Sequence, residues 1–571
     1  MFKALLLPLL VITLNPDFDL SQYASTSELS AGMLLESKTR MQQNEMKHFG
    51  LIVLSVLKNS RPQEDSVLAE ITNREFVETG VLAGMSGSPV YLSNRLVGAI
   101  SYTTTFQKKP IVGITPIRSM LEVINHQKIN RSAPYDDGKK FYGFTPIRTP
   151  LAICGKMQLS DETIRLIFDE SSYFIIAGGS SFEKSSNVQD AKPFLPGDAC
   201  AVGLVRGDLS IMAFGTVTHV KDNYVLAFGH PLSSSGLSST ALYSARIDAV
   251  VPLLSLSYKI GSMGAEVGTI VQDRSSAILG ELGAFSSFVP LRVSVKSEIQ
   301  ERKFNYEVTS DPAYFSRLSA MIFTQSFLQH ESTGEETTLY YTLNVRTDYH
   351  NRNISITDCA VNPRSDDACK EINNTFENIF RYIHYNPFLP IKILSADLAL
   401  HSVSSIKFLE ITGFSTDSKV YRPGSTVSLS IHTRGYKTGK STITETFTLP
   451  ENIRTGLHQI IVSSGYFYLI NDMQINPDKY IPSVPEDIFN ILDNKINTQS
   501  LMIWMYADTD SLVINGTEYQ SLPLFHREVI LQGRRSYLEP THRFFLKSVV
   551  QSVPVIGAHG MIIEITDRNT Q

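Results

Sequence analysis

Six consecutive residues, Gly84-Met85-Ser86-Gly87-Ser88-Pro89, carry the sharpest chemical signal in the chain. Glycines on both sides of Ser86 let the backbone turn tightly, so the amides of Gly84 and Ser86 can point at one spot. Two convergent N–H donors beside a hydroxyl are what a nucleophile and its oxyanion hole require. A plain turn rich in Gly, Ser and Pro accounts for the same residues without chemistry. A nucleophilic serine also needs a base, and imidazole has a suitable pKa. Of 13 histidines, His230 stands apart, because it ends the strand pattern YVLAFGH and enters HPLSSSG, a turn of small residues. A strand-end loop holds a ring while leaving it reachable. His219, within GTVTHV, alternates with apolar neighbours and reads as a sheet residue. His126, His330 and His350 sit in contexts with nothing special. Spacing alone does not pair Ser86 with His230, since such groups are assembled in space.

The elements that must position these residues read mostly as strands. From about 48 to 103, short apolar runs alternate with turns, as in HFGLIVLSVLKNS, DSVLAEI, SPVYL and RLVGAISY. Thr115-Pro116 then opens a short helix, IRSMLEVINH, with Thr as cap and Pro at the first helical position. A second small helix is expected from Ser160, and the polar stretch of about 182–198 reads as a linker or long loop. Strands resume from Ala201 to Gly229, separated by RGD and KDN turns, and continue to about 300. The Arg206-Gly207-Asp208 sequence is explained by its hairpin turn. Residues 310–390 mix helix and strand patterns. Further on, RPGSTVSLSIHT alternates with period two, which suits an immunoglobulin-like sandwich.

Composition bounds the rest. A chain of 571 residues is too long for one core and suggests roughly four domains. Hydrophobic residues at 42% and charged residues at 19% exclude a disordered or fibrous chain. With 51 basic against 56 acidic residues there is no basic excess, so nucleic acid is not an expected partner. Four cysteines without a C-x-x-C exclude a thiolate zinc module, and neither H-E-x-x-H nor a P-loop occurs, so no metal and no cofactor is expected. Cys359 and Cys369 either bridge a polar loop or remain free thiols. At the N-terminus, one lysine precedes the apolar run Ala4–Leu14. That is signal-peptide length and too short to span a bilayer, and a buried first strand is the alternative.

Two separate blocks resemble the SpoIVB family of serine peptidases, named for a sporulation signalling protease. ETGVLAGMSGSPVYLSNRLVGAISY, followed by KKPIVGITPIRSMLEV, is similar to the family's nucleophile block. LVRGDLSIMAFGTVTHVKDNYVLAFGHP is similar to the block that ends in its catalytic histidine. VGTIVQDRSSAILGELG further resembles long, envelope-type members. The resemblance spans about 45–290 and implies Ser86 as nucleophile, His230 as general base, and the Gly84 and Ser86 amides as oxyanion donors. G-x-S-G-x-P is also the local pattern of chymotrypsin-type peptidases. Two departures stand out. The serine block here precedes the histidine block, the reverse of the sporulation protease, whose PDZ module is also not evident. Where the family has an aspartate before the serine, this chain has Thr72 or Asn73. Asn73 could orient an imidazole; Asp65 and Glu75 are nearby substitutes, and Asp208 and Asp273 could reach if the fold brings them in.

The expectation is therefore a mainly β, multidomain chain. A probable signal segment, 1–25, precedes a chymotrypsin-like β-barrel peptidase domain at 26–300. A mixed α/β segment (301–390), an immunoglobulin-like β-sandwich (391–468) and a terminal α+β segment (469–571) follow. The expected activity is limited or self-proteolysis by an exported endopeptidase of the periplasm or cell envelope, with proteins or peptides as partners. The rival from another class is an inactive peptidase-fold scaffold that binds envelope proteins.

Overall fold

A residue pattern of period two sets up the first layer of structure. Strand β1 (Leu34–Arg40) turns Leu35, Ser37 and Thr39 inward and leaves Leu34 and Glu36 exposed. Seven strands form the first half of the N-terminal unit: β1, β2 (Met46–Arg61), β3 (Glu64–Ile71), β4 (Leu82–Ala83), β5 (Pro89–Leu92), β6 (Arg95–Thr103) and β7 (Ile111–Pro116). They run in the order β5-β1-β2-β3-β7-β6, and β6 pairs back onto β5. Six strands thus close into a barrel, and only β4 stays outside the circuit. Phe49, Leu51, Val67, Val90, Ile100 and Ile114 fill its interior. A short helix, α1 (Arg74–Thr79), caps one side.

The second half repeats the device. After β8 (Thr145–Pro146), β9 (Thr149–Cys154) and β10 (Tyr173–Ala177) come β11 (Ala199–Gly207), β12 (Ser210–Lys221), β13 (Tyr224–Ala227), β14 (Gly236–Val251), β15 (Ser257–Arg274) and β16 (Ala277–Leu282). The order β12-β13-β16-β15-β14-β11 closes because β11 pairs with β12. This is a second six-stranded barrel. Helix α2 (Ile117–Ile129) lies between the two barrels. Its Ile117, Met120 and Ile124 share a core with Leu96 of the first barrel and Leu226 and Leu279 of the second. Tyr23, also in this core, bonds His219 Nε2 at 3.0 Å, so His219 is the sheet residue its alternation suggested. Two closed antiparallel barrels around one seam are a chymotrypsin-like, mainly β architecture.

These features belong to a computed structural model that describes residues 19–567, apart from 62–63, 130–142, 156–163, 165–167, 170, 179–192, 331–335, 363–364, 452, 476, 507–511, 515–516, 520–522, 524, 527 and 530–542. The apolar run Ala4–Leu14, the helix expected from Ser160 and most of the 182–198 loop lie outside the described residues. The chain divides into two compact units, Met1–Phe288 with Tyr306–Phe315, and Val289–Asn305 with Ser316–Gln571.

In the second unit, helix Ser365–His384 buries Ile372, Phe376, Ile379 and Ile383, a stripe at helical spacing. It packs on strands Thr337–Thr347 and Asn353–Asn362. Four strands, among them Thr426–Gly435, form one sheet, and five strands, among them Gly456–Ser464 and Ser500–Tyr506, form another. Val427, Leu429, Ile431, Ile460, Val462 and Ile503 join the two sheets in one core. Strands for this pair of sheets come from as far along the chain as Ala558–Ile565, well beyond the span 391–468. Cys359 and Cys369 are both buried and are not joined by a disulfide.

Candidate active site

The G-M-S-G-S-P segment is a tight turn between β4 and β5. Met85 N donates to Leu82 O at 3.1 Å, Ser88 N to Met85 O at 3.0 Å, and Gly87 N to Ile100 O at 2.8 Å. The amides of Gly84 and Ser86 take no part in these three bonds. Both flanking glycines sit in the left-handed region, at φ +93° for Gly84 and +94° for Gly87, which other residues enter only at a cost.

The second barrel grips this turn through Thr216 of β12. Its amide donates to Ser86 O at 2.9 Å and its hydroxyl to Gly84 O at 3.0 Å. Thr218 adds a bond to Gly87 O at 2.7 Å. Contact is close enough that a Cβ on Gly87 would lie 2.0 Å from Thr216 O and 2.6 Å from Phe228 N. Phe228 begins the loop that leads into His230, so the serine turn and the histidine loop touch across the seam.

That loop is held from several sides. Phe228, a buried non-glycine residue, has φ +66°, and Gly229 follows at +69°. Positive φ at a bulky residue is strained and persists only where the surroundings impose it. Thr115 of β7 donates to Gly229 O at 2.7 Å. His230 Nδ1 lies 2.8 Å from Pro231 O. A carbonyl can only accept, so Nδ1 carries the proton and Nε2 is the basic nitrogen of the neutral ring. Immediately after, Asp273 of β15 takes Leu232 N at 2.7 Å, Ser233 N at 2.6 Å and Ser233 Oγ at 2.8 Å. Burial pushes the Asp273 carboxyl up, and the donors from this loop pull it back.

Ser86 is 0% and His230 1% exposed. Among the described residues Ser86 Oγ makes no hydrogen bond. Asn73 lies just before α1 in the first barrel, where its Oδ1 accepts from Gly50 N at 2.8 Å. Asp65 pairs with Lys58 and Glu75 with Lys47, and Asp208 sits exposed in the β11–β12 turn. Of the acidic candidates, Asp273 is the one bonded to the histidine loop.

Sequence reasoning missed Lys259. On β15, Ser257, Lys259 and Gly261 share the buried face by simple alternation, and a lysine in that register was the readable signal. Lys259 is 1% exposed, and its Nζ donates to Thr39 Oγ1 at 2.7 Å. Burial pushes its ammonium down to about 7. The unfolded chain holds this proton up to the ordinary lysine range, so above about pH 7 it binds more protons than the native chain. Stability gains from this group as pH rises, by at most about 1.4 kcal/mol per pH unit. Above about pH 9 the buried Cys200 thiol, pushed up by burial, acts in the opposite direction. Urea midpoints at pH 7.0 and 8.5 are expected to rise in the native chain, with a smaller rise in Lys259→Met. Equal changes in the two proteins would show that Lys259 is charged throughout.

A glycine-framed serine turn from one barrel, clasped by Thr216 and Thr218 of the other, lies in a double barrel of chymotrypsin-like, mainly β architecture. The sequence profile of the SpoIVB peptidase S55 family matches residues 20–121, the segment that carries Ser86. The match ends before His230. No curated protein and no solved structure matches the chain.

Proposed function

We propose that the chain is a serine endopeptidase that performs limited or self-proteolysis, exported to the cell envelope. The observation that supports it best is the double bond of Thr216 to the Ser86 turn, which ties that turn to the second barrel, the one that also carries His230. Ser86 Oγ attacks the scissile carbonyl, and its proton passes to His230 Nε2. The Gly84 and Ser86 amides receive the oxyanion. Collapse of the tetrahedral adduct returns the proton to the leaving amine, and a water, activated by the same nitrogen, releases the acyl group. In this scheme Pro231 O fixes the ring's tautomer, and Asp273 fixes Pro231's loop, the orienting part that sequence gave to Asn73. A peptide carbonyl stabilises an imidazolium less than a carboxylate does, so turnover is slow.

Both groups are buried, so the seam must open before a polypeptide enters. That suits occasional cleavage. The same burial favours a second reading, an inactive scaffold that retains the fold for binding envelope proteins. A fluorophosphonate probe separates the two. Covalent labelling of the native chain is expected, with Ser86→Ala and His230→Ala lower by roughly 10³-fold or more. A folded native chain that takes no label at Ser86 would establish the scaffold. Export rests on the run Ala4–Leu14, and N-terminal sequencing of the protein recovered from cells tests it.

A further inference from the structure

A buried polar chain connects Lys259 to the serine turn, and nothing in the scheme above uses it. Lys259 Nζ donates to Thr39 Oγ1 at 2.7 Å. Thr39 Oγ1 lies 3.4 Å from Thr216 Oγ1, which donates to Gly84 O at 3.0 Å. Because Gly84 O can only accept, Thr216 gives its hydroxyl hydrogen to Gly84, Thr39 gives its own to Thr216, and Lys259 donates to Thr39, whether its amine is charged or neutral. The lysine's stem lies against the same residue. A Cβ on Gly84 would meet Lys259 Cβ and Cδ at 3.5 Å each. Thr39 is fully buried, as is Thr216 to within 1%.

No carboxylate forms an ion pair with Lys259 among the described residues, and the titratable group facing it from β11 is the Cys200 thiol. An amine enclosed without a counter-charge is unfavourable for the fold in its charged form, which makes the position a candidate for a functional part. The three links cross three elements, β15, β1 and β12, and they end on Gly84, one of the two residues whose amides are proposed to receive the oxyanion.

We propose that Lys259 is a positioning residue, which through Thr39 and Thr216 locks Gly84 and the Ser86 turn in oxyanion-binding geometry. It rests on the peptidase reading for its purpose, though not for its geometry. A methionine at this position fills a similar volume without a buried charge, so stability and reactivity are expected to move in opposite directions.

The test compares the full native chain with Lys259→Met and Thr39→Val, using fluorophosphonate inactivation, thermal unfolding and amide hydrogen exchange over residues 82–89. Lys259→Met is expected to melt at or above the native temperature while its limiting inactivation rate falls roughly 10- to 100-fold. The probe's half-saturating concentration is unchanged, and exchange at 82–89 quickens. Thr39→Val, which cuts the relay without touching the lysine's stem, gives the same loss and serves if Lys259→Met fails to fold. Native exchange at 82–89 in both variants overturns the positioning role, whatever the labelling shows. So does a slower rate that merely tracks a lower melting temperature. Absence of label on the native chain overturns the peptidase reading instead.

Discussion

Asp273→Ala is expected to lose about 3–5 kcal/mol of stability and most Ser86-dependent labelling, because the substitution strips the acceptor from a buried loop. Leu232 N, Ser233 N and Ser233 Oγ all point at this carboxylate. Each buried donor left without an acceptor costs about 1–3 kcal/mol, and the three cannot all turn to water. The same loop carries Pro231, whose carbonyl holds His230 Nδ1. Freed, it lets the imidazole rotate out of line, and a displacement near 1 Å is enough to slow a positioned reaction by roughly 10²-fold. Asp273→Asn is the sharper probe. It keeps the shape and one oxygen but presents an NH₂ where amides already donate, so it recovers only part of either loss. Urea unfolding and inactivation rates on both variants check this. Native-level labelling in a folded Asp273→Ala chain would show that the loop does not govern His230.

Gly87→Ala is expected to cost more than about 3 kcal/mol and to abolish labelling, through a single added methyl group. That methyl would stand 2.0 Å from Thr216 O and 2.6 Å from Phe228 N, both backbone atoms with strands behind them. Relief requires pushing the turn away from β12, which breaks the bonds Thr216 makes to Ser86 and Gly84. Gly80 is the control. It too has positive φ, +70°, yet nothing lies within 4 Å of its missing Cβ. Gly80→Ala is therefore expected to cost only about 1 kcal/mol, the conformational part alone. Similar urea midpoints for the two variants would mean the seam is loose at Gly87.

Strand content was legible in the sequence because alternation is a local property. The turns at RGD and KDN, the helix after Thr115 and the glycine-framed serine all announce themselves within a dozen residues. Barrel closure does not. The pairings of β5 with β6 and of β11 with β12 that complete each circuit depend on register and twist across the whole sheet. The two-sheet pair of the second unit runs past the span 391–468 for a related reason: four of its nine strands come from beyond residue 468, where the sequence pattern is mixed. Within the site, Ser86 and His230 could be nominated by type and context. Asp273 could be named only as a residue the fold would have to bring in, because its partners, Leu232 N, Ser233 N and Ser233 Oγ, meet it through the pairing of distant strands rather than through sequence spacing. Lys259 escaped because a lysine on a strand reads as solvent-facing unless its register is counted against Ser257 and Gly261.

The order of the two barrels bears on synthesis. The serine turn, with its family-matching half, leaves the ribosome well before residue 230 is translated, and N-terminal domains fold first. Until β12 and β13 arrive, the emerging chain holds a hydroxyl with neither its clasp nor its imidazole. On the peptidase reading proposed above, a nascent molecule therefore lacks a complete site until its second barrel docks.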